Sequence, residues 1–271
     1  MRNSDDEDTD PLAEAYNRGL NLEKSGDLAG AEAAYRQALE LDPADHGGVT
    51  VRLAAMGRAD APERAPDAYV ATLFDQNAEH FDDMLVEQLG YAVPMLVRER
   101  LEALGLRGPF PRLLDLGCGT GLTGVSLNDW CPHITGVDLS EGMLDEAYER
   151  GVYDDLYVAE AVEFLEHTED APWDIIAATD VLPYIGSLEP FFAGVCRRLT
   201  SNGLLIVSCE TEDAMVADYK VGAKHRFAHA REYLDRLLSE NGLQSLDFLS
   251  ITVRYDEGQP VPGFLIACRA V

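Results

Sequence analysis

Lysine is nearly absent from this 271-residue chain: Lys24, Lys220 and Lys224 are the three it has, and arginine supplies the rest of its 21 basic residues. Set against 49 acidic residues, this leaves a formal charge of -28. Such a surface repels polyanions at long range, so no nucleic-acid partner is expected. An acidic, lysine-poor surface also suits work in high salt, where screening weakens that repulsion, and both readings stay open. The chain also lacks any CxxC pair. Its five cysteines (Cys118, Cys131, Cys196, Cys209, Cys268) are scattered, and no histidine stands at metal-ligand spacing, which argues against a disulfide framework and a metal centre. No apolar run approaches the roughly 20 residues of a membrane span, and Met1 to Asp10 is acidic rather than basic and then apolar. A soluble protein of the reducing cytoplasm, with no membrane partner, is therefore expected.

Hydrophobic residues make up 46% of the sequence, with 11 tyrosines and 9 phenylalanines, enough for a sizeable core in one large or two unequal domains. Residues 1–10 form an acidic tail. Residues 11–58 read as helix, turn, helix and the start of another helix, broken first at Gly26-Asp27. A proline-punctuated linker follows at 59–66, and the remaining 67–271 form one domain whose first part, 67–106, is a helical cap. Within the cap, Tyr91 to Leu104 is expected as a long amphipathic helix.

From Arg112 strands and helices alternate, as in a doubly wound parallel sheet. The strands are expected at 112–116, 134–138, 154–158, 173–179 and 203–209, with helices near 121–130, 141–150, 160–166, 187–199 and 228–241. Residues 246–254 and 263–269, joined by Asp256-Glu257-Gly258-Gln259-Pro260, predict a terminal antiparallel hairpin. Nicotinamide-binding Rossmann domains mostly end without one.

In Leu113-Leu114-Asp115-Leu116-Gly117-Cys118-Gly119-Thr120-Gly121 a buried apolar strand runs into a turn. Three glycines there let the backbone bend sharply and let a ligand touch it. Asp138, at the end of the next strand, can accept hydrogen bonds from both hydroxyls of a ribose. The G-x-G-x-G spacing differs from the G-x-G-x-x-G that serves a pyrophosphate.

These residues, with Gly136-Val137-Asp138-Leu139-Ser140-Glu141-Gly142-Met143-Leu144, the Leu73-Phe74-Asp75 and Phe81-Asp82 pair, and Arg226-Phe227-Ala228-His229, resemble the class I S-adenosylmethionine-dependent methyltransferases. The likeness runs from Tyr69 to Val271 and is closest to predicted methyltransferases that carry an N-terminal tetratricopeptide repeat. Gly19, Leu22, Gly26, Ala31, Tyr35, Ala38 and Pro43 stand where that repeat of about 34 residues places small, large, turn, small, aromatic, small and proline residues.

The resemblance implies an α/β Rossmann-like fold with S-adenosylmethionine as cofactor and S-adenosylhomocysteine as product. It implies that Asp115 and the backbone of Gly117 and Gly119 hold the methionine end, within a loop completed by Cys118, a small filler rather than a nucleophile, and Gly121. Asp138 would hold the ribose, Leu139 and Met143 would sandwich the adenine, Glu160 and Ala161 would meet its amino edge, and Thr179 or Asp180 would flank the sulfonium.

After the fourth strand, Leu182-Pro183-Tyr184 replaces the Pro-Pro-aromatic run of enzymes that methylate adenine or glutamine amino groups, which argues against both acceptors. Methyl transfer needs a base only where the acceptor must lose a proton. The candidates for acid and base work are Tyr184, Glu210 and His229. Arg226 is the expected anchor of a substrate carboxylate, and Phe74 and Phe81 close a lid. The leading function is methylation of a small carboxylate- or hydroxyl-bearing molecule. The alternative is an S-adenosylmethionine-binding scaffold or protein methyltransferase that recruits a protein partner, or a second copy of itself, through the repeat.

Overall fold

A computed structural model describes residues 10–271; the expected acidic tail falls almost wholly outside them. The chain opens with α1 (Pro11–Ser25), α2 (Leu28–Leu41) and α3 (Val49–Ala55). Asp10 accepts the Leu12 amide at the start of α1, with Pro11 at the first helical position, and Gly26 ends the helix at φ 84°. Asp27 then caps α2 through the Gly30 amide. A Cβ at Gly19 would sit 2.5 Å from the Tyr35 ring, so glycine there is what lets Tyr35 lie flat between the first two helices.

The cap comprises α4 (Asp67–Asp75), a 3₁₀ turn (Ala78–His80), a π-helical stretch (Asp83–Gln88) and α5 (Val93–Ala103). The helix expected from Tyr91 thus begins at Val93, because Gly90 at φ 63° breaks the chain before it.

The sheet domain alternates β1 (Leu113–Leu116), α6 (Leu122–Leu127), β2 (Ile134–Asp138), α7 (Glu141–Glu149), β3 (Asp155–Val158), α8 (Ala161–His167), β4 (Trp173–Ala178), α9 (Glu189–Arg198) and β5 (Leu199–Glu210). It closes with β6 (Tyr219–Val221), β7 (Phe227–His229), α10 (Arg231–Glu240), β8 (Leu243–Asp256) and β9 (Gln259–Ala270). Strands β3-β2-β1-β4-β5 lie in parallel, and β9 adds antiparallel to β5 with β8 outside it. Alternate residues feed two cores on opposite faces. Leu113, Ile175 and Ile206 pack with α5 and α6, while Leu114, Ile176 and Val207 pack with α9 and α10.

Two expectations are corrected. The terminal turn is only Glu257-Gly258, both at positive φ, since Asp256 already pairs with Gln259. The helix expected from 228 begins at Arg231, and Phe227–His229 forms β7 instead. This short strand runs parallel to the end of β5, with Ala228 opposite Glu210, on the edge that β4 vacates after Ala178. The β6–β7 hairpin therefore arrives at the mouth of the sheet.

Candidate functional site

The cleft opens at the carboxyl ends of the strands, between β1 and β4, where the strand order reverses direction. Its lining is mostly apolar, as in small-molecule sites. Gly117 follows β1 at φ 60°, and a Cβ there would sit 2.3 Å from Val181. Gly119, at φ 52°, differs: it lines the cleft, and a Cβ there would meet nothing within 4 Å. The backbone here can be approached closely by a ligand. Gly121 starts α6 and does not line the cleft. Burial pushes the Cys118 thiol well above its usual range, so it lines the cleft uncharged.

Asp138 Oδ2 accepts the Gly119 amide at 2.8 Å and Oδ1 accepts the Ser140 amide at 2.9 Å. These bonds fix the carboxylate at the lip of the cleft with lone pairs to spare. Asp115 is placed differently from expectation. It lies fully buried beneath the loop, takes the Tyr153 hydroxyl at 2.7 Å, and leaves Oδ1 without a partner. Burial raises its pKa to about 7.

Leu139, Glu160 and Ala161 line the next wall. Met143 is wholly buried and does not reach the cleft. Glu160 caps α8 through the Glu163 amide at 2.9 Å and meets Arg64 at 3.0 Å. Arg64 comes from the expected linker, which is not a free tether. The Ala65 amide bonds the Tyr184 carbonyl, and the Glu63 carbonyl takes the amides of Gly186 and Ser187, all at 2.8 Å.

At the end of β4, the Thr179 hydroxyl bonds that of Thr123 at 2.8 Å. Asp180 lines the cleft at φ 62°, a conformation costly for a non-glycine residue. Its amide is held by Ser208 at 2.9 Å, and Arg226 donates to its Oδ1 at 2.5 Å. Arg226 also donates to Glu210 and to the Tyr184 hydroxyl, each at 2.5 Å. Arg254 meets Glu210 as well. Burial opposes ionisation of Glu210, yet Arg226 and Arg254 hold its carboxyl below the usual range.

Three expected roles change with this geometry. Arg226 is bound to three side chains inside the protein, so its charge is already answered by Asp180 and Glu210. Glu210 lies outside the cleft-lining set, in that ion pair. His229 is fully buried, its Nε2 at 2.9 Å from the Ile185 carbonyl and 3.2 Å from that of Gly186. Burial lowers its pKa to about 4, so the neutral ring donates from Nε2 and pins the loop after Tyr184 rather than facing an acceptor. Tyr184 does line the cleft. Because Arg226 donates to its oxygen, its own proton is free to point elsewhere.

Phe74 and Phe81 form the outer wall, in edge contact with each other at 5.7 Å, and Phe74 meets Tyr184 at 5.4 Å. Sequence reasoning missed Arg64, Tyr91 and Thr123, all of which line the cleft. No local pattern marks them. Thr120 takes part in a contact that no spacing reveals: Asp82 of the cap accepts its hydroxyl at 2.5 Å and also meets Arg150.

Residues 114–207 match the family model described as a methyltransferase domain, and residues 13–45 match that of a tetratricopeptide repeat. A ubiquinone biosynthesis O-methyltransferase from Xylella fastidiosa is 30% identical over 156 residues, covering 55% of this chain and 60% of that protein. A malonyl-[acyl-carrier protein] O-methyltransferase from Bacillus anthracis is 30% identical over 100 residues, 36% of each chain. The chain spans about half the length of the curated relatives it matches, 60%, 43% and 54% for three of them. Among solved structures, an S-adenosylmethionine-dependent methyltransferase from Clostridium acetobutylicum superposes with TM-score 0.53 at 16% identity, over 73% of this chain and 99% of that one. The magnesium protoporphyrin IX methyltransferase of Synechocystis gives 0.51 at 16%, over 84% and 97%. These structures share the fold. Over its sheet domain the chain is thus similar to methyltransferases, and over its first two helices to a tetratricopeptide repeat.

Proposed function

We propose that the cleft binds S-adenosylmethionine and that the protein transfers its methyl group to an oxygen of a small hydroxyl- or carboxylate-bearing molecule. The observation that carries this reading is the Asp138 carboxylate, held by the Gly119 and Ser140 amides at the lip of a cleft that Gly119 also lines, with nothing where its Cβ would be. A carboxylate with free lone pairs suits a ribose diol, and a glycine with nothing where its Cβ would be suits a ligand lying against the backbone.

Leu139 and Ala161 offer apolar walls for an adenine ring, and Glu160 stands at its rim. When bound, the cofactor would supply a methyl carbon activated by a positive sulfur. Thr179 and Asp180, which follow β4 and line the cleft, would flank it. The rest of the lining, including Phe74, Phe81, Tyr91 and Tyr184, excludes water and orients the acceptor, which supplies most of the acceleration in an in-line displacement. A carboxylate acceptor needs no base. For a hydroxyl, Asp180, one of the carboxylates on the cleft wall, can take the proton at Oδ2 while Arg226 holds Oδ1, and the Tyr184 hydroxyl can donate to the oxygen. The relatives named above are O-methyltransferases, which supports oxygen as the acceptor atom.

Calorimetric titration with S-adenosylmethionine and S-adenosylhomocysteine tests the reading. Saturable heat with both, lost in Asp138→Ala, is expected; the absence of heat with either in the unaltered protein overturns it.

A further inference from the structure

The helical segment ahead of the methyltransferase domain is packed into it rather than held apart. Arg52, on α3, stands where the two meet. Its Nε donates to the Tyr16 hydroxyl of α1 at 3.1 Å, and its terminal nitrogen lies 3.5 Å from Glu23 and 3.4 Å from His225 Nε2. His225 belongs to the turn of the β6–β7 hairpin, at φ 61°. Its amide bonds the Gly222 carbonyl at 3.0 Å, and the Gly222 amide returns to the Arg226 carbonyl at 2.8 Å. The next side chain is that of Arg226, which grips Asp180 and Tyr184 on the cleft wall.

A second line of packing runs alongside. Val51 of α3 shares a small core with Ala65, Val70, Val221 and Phe227. Ala65 and Val70 themselves line the cleft.

We propose that Arg52 is a positioning residue for the cleft, acting through His225 on Arg226, so that the tetratricopeptide segment serves as the outer support of the methyltransferase site. The chemistry is consistent. Burial and the positive charge of Arg52 lower the His225 pKa to about 4, so at neutral pH the ring is uncharged and its Nε2 accepts from the guanidinium. Glu23 and Tyr16 fix the guanidinium from the repeat side. The strained backbone at His225 is held by contacts on both of its flanks, as strained positions require. With three partners to satisfy at once, Arg226 tolerates little displacement of its main chain, and a supporting shell of this kind decides how well a site is organised.

The proposal rests on the cofactor reading for its binding readout, and a second readout is independent of it. Arg52→Met keeps the aliphatic stem and removes the guanidinium; His225→Gly relieves the positive φ and removes the ring without touching α3. Each is expected to weaken S-adenosylhomocysteine roughly three- to tenfold by calorimetry, with less than additive losses when Arg52→Met is combined with Arg226→Met. Arg52→Lys, which keeps a cationic donor within reach, is expected to restore part of the loss. Amide hydrogen exchange across 180–186 and 222–229 is expected to rise in both single variants while α1 and α2 keep their protection. Unaltered exchange in those two segments, or losses that simply multiply in the double variant, overturns the proposal. If the unaltered protein gives no heat, the cofactor reading falls, and exchange alone still decides whether Arg52 organises the hairpin.

Discussion

Asp75 Oδ1 accepts the hydroxyl of Ser140 at 2.5 Å, joining the last residue of α4 to the cap of α7. Ser140 meanwhile accepts the Met143 amide at 3.0 Å, and the Gly142 amide lies 3.2 Å from the same Asp75 oxygen. A carboxylate is thus seated at the amino end of a helix, where amide dipoles favour negative charge. It also ties Phe74 to the half of the site that carries Asp138. Asp75→Ala is expected to lower stability by about 1 kcal/mol and to weaken S-adenosylhomocysteine, read by thermal unfolding and calorimetry. Unchanged affinity would mean that Phe74 keeps its place without the latch.

The two cleft glycines should separate by their neighbours. Gly117→Ala meets Val181 at 2.3 Å in an unfavourable φ and is expected to cost about 1–3 kcal/mol in urea unfolding, partly recovered by Val181→Ala. Gly119→Ala meets nothing within the protein, so only about 1 kcal/mol is expected, yet ligand affinity should fall steeply. Equal binding by both variants would show that the open face of Gly119 is not a contact surface.

Asp138→Asn keeps the size of the side chain but replaces one accepting oxygen with a donor that faces the Gly119 or Ser140 amide. Loss of about 1–3 kcal/mol of binding free energy is expected, measured against S-adenosylhomocysteine. A variant that binds as the unaltered protein does would remove Asp138 from the ligand-holding set.

Stability against pH should report Asp115 and His229 with opposite signs. Burial raises Asp115 from 3.8 to about 7, so the folded state holds a proton that the unfolded chain has released. Its contribution is present below about pH 4 and is lost as pH climbs towards 7. Asp115→Asn should remove that decline from the urea midpoint measured between those limits. His229 is lowered from 6.5 to about 4, so its contribution is present above pH 6.5 and is lost as pH falls through that interval. His229→Gln should flatten this opposite slope. The same slope before and after either substitution would count against the buried state assigned to that residue.

Much of the domain was legible because its signals are local. Leu113 and Leu114 feed opposite cores, as a strand buried on both faces requires, and Gly117 and Gly119 take positive φ at the turn that ends it. Gly19 and Tyr35 mark the repeat for an equally local reason, one side chain missing where another must lie. Short motifs do not state the partners of Arg226 and His229. Arg226 meets Asp180 across 46 residues and His229 meets Ile185 across 44. The linker, too, reads as a proline-rich spacer, although its backbone is bonded to the loop after Tyr184.

By itself, then, the sequence determined the order of β1 to β5 with the helices between them, the terminal hairpin, the glycine turn, the acid at the end of β2 and the repeat, since each depends on residues a few positions apart. Only the tertiary structure decided which ionisable groups reach the cleft. Burial and pairing set that choice: β7 enters beside β5 where β4 stops, bringing Arg226 to Asp180 as an internal partner and turning His229 inward to the backbone.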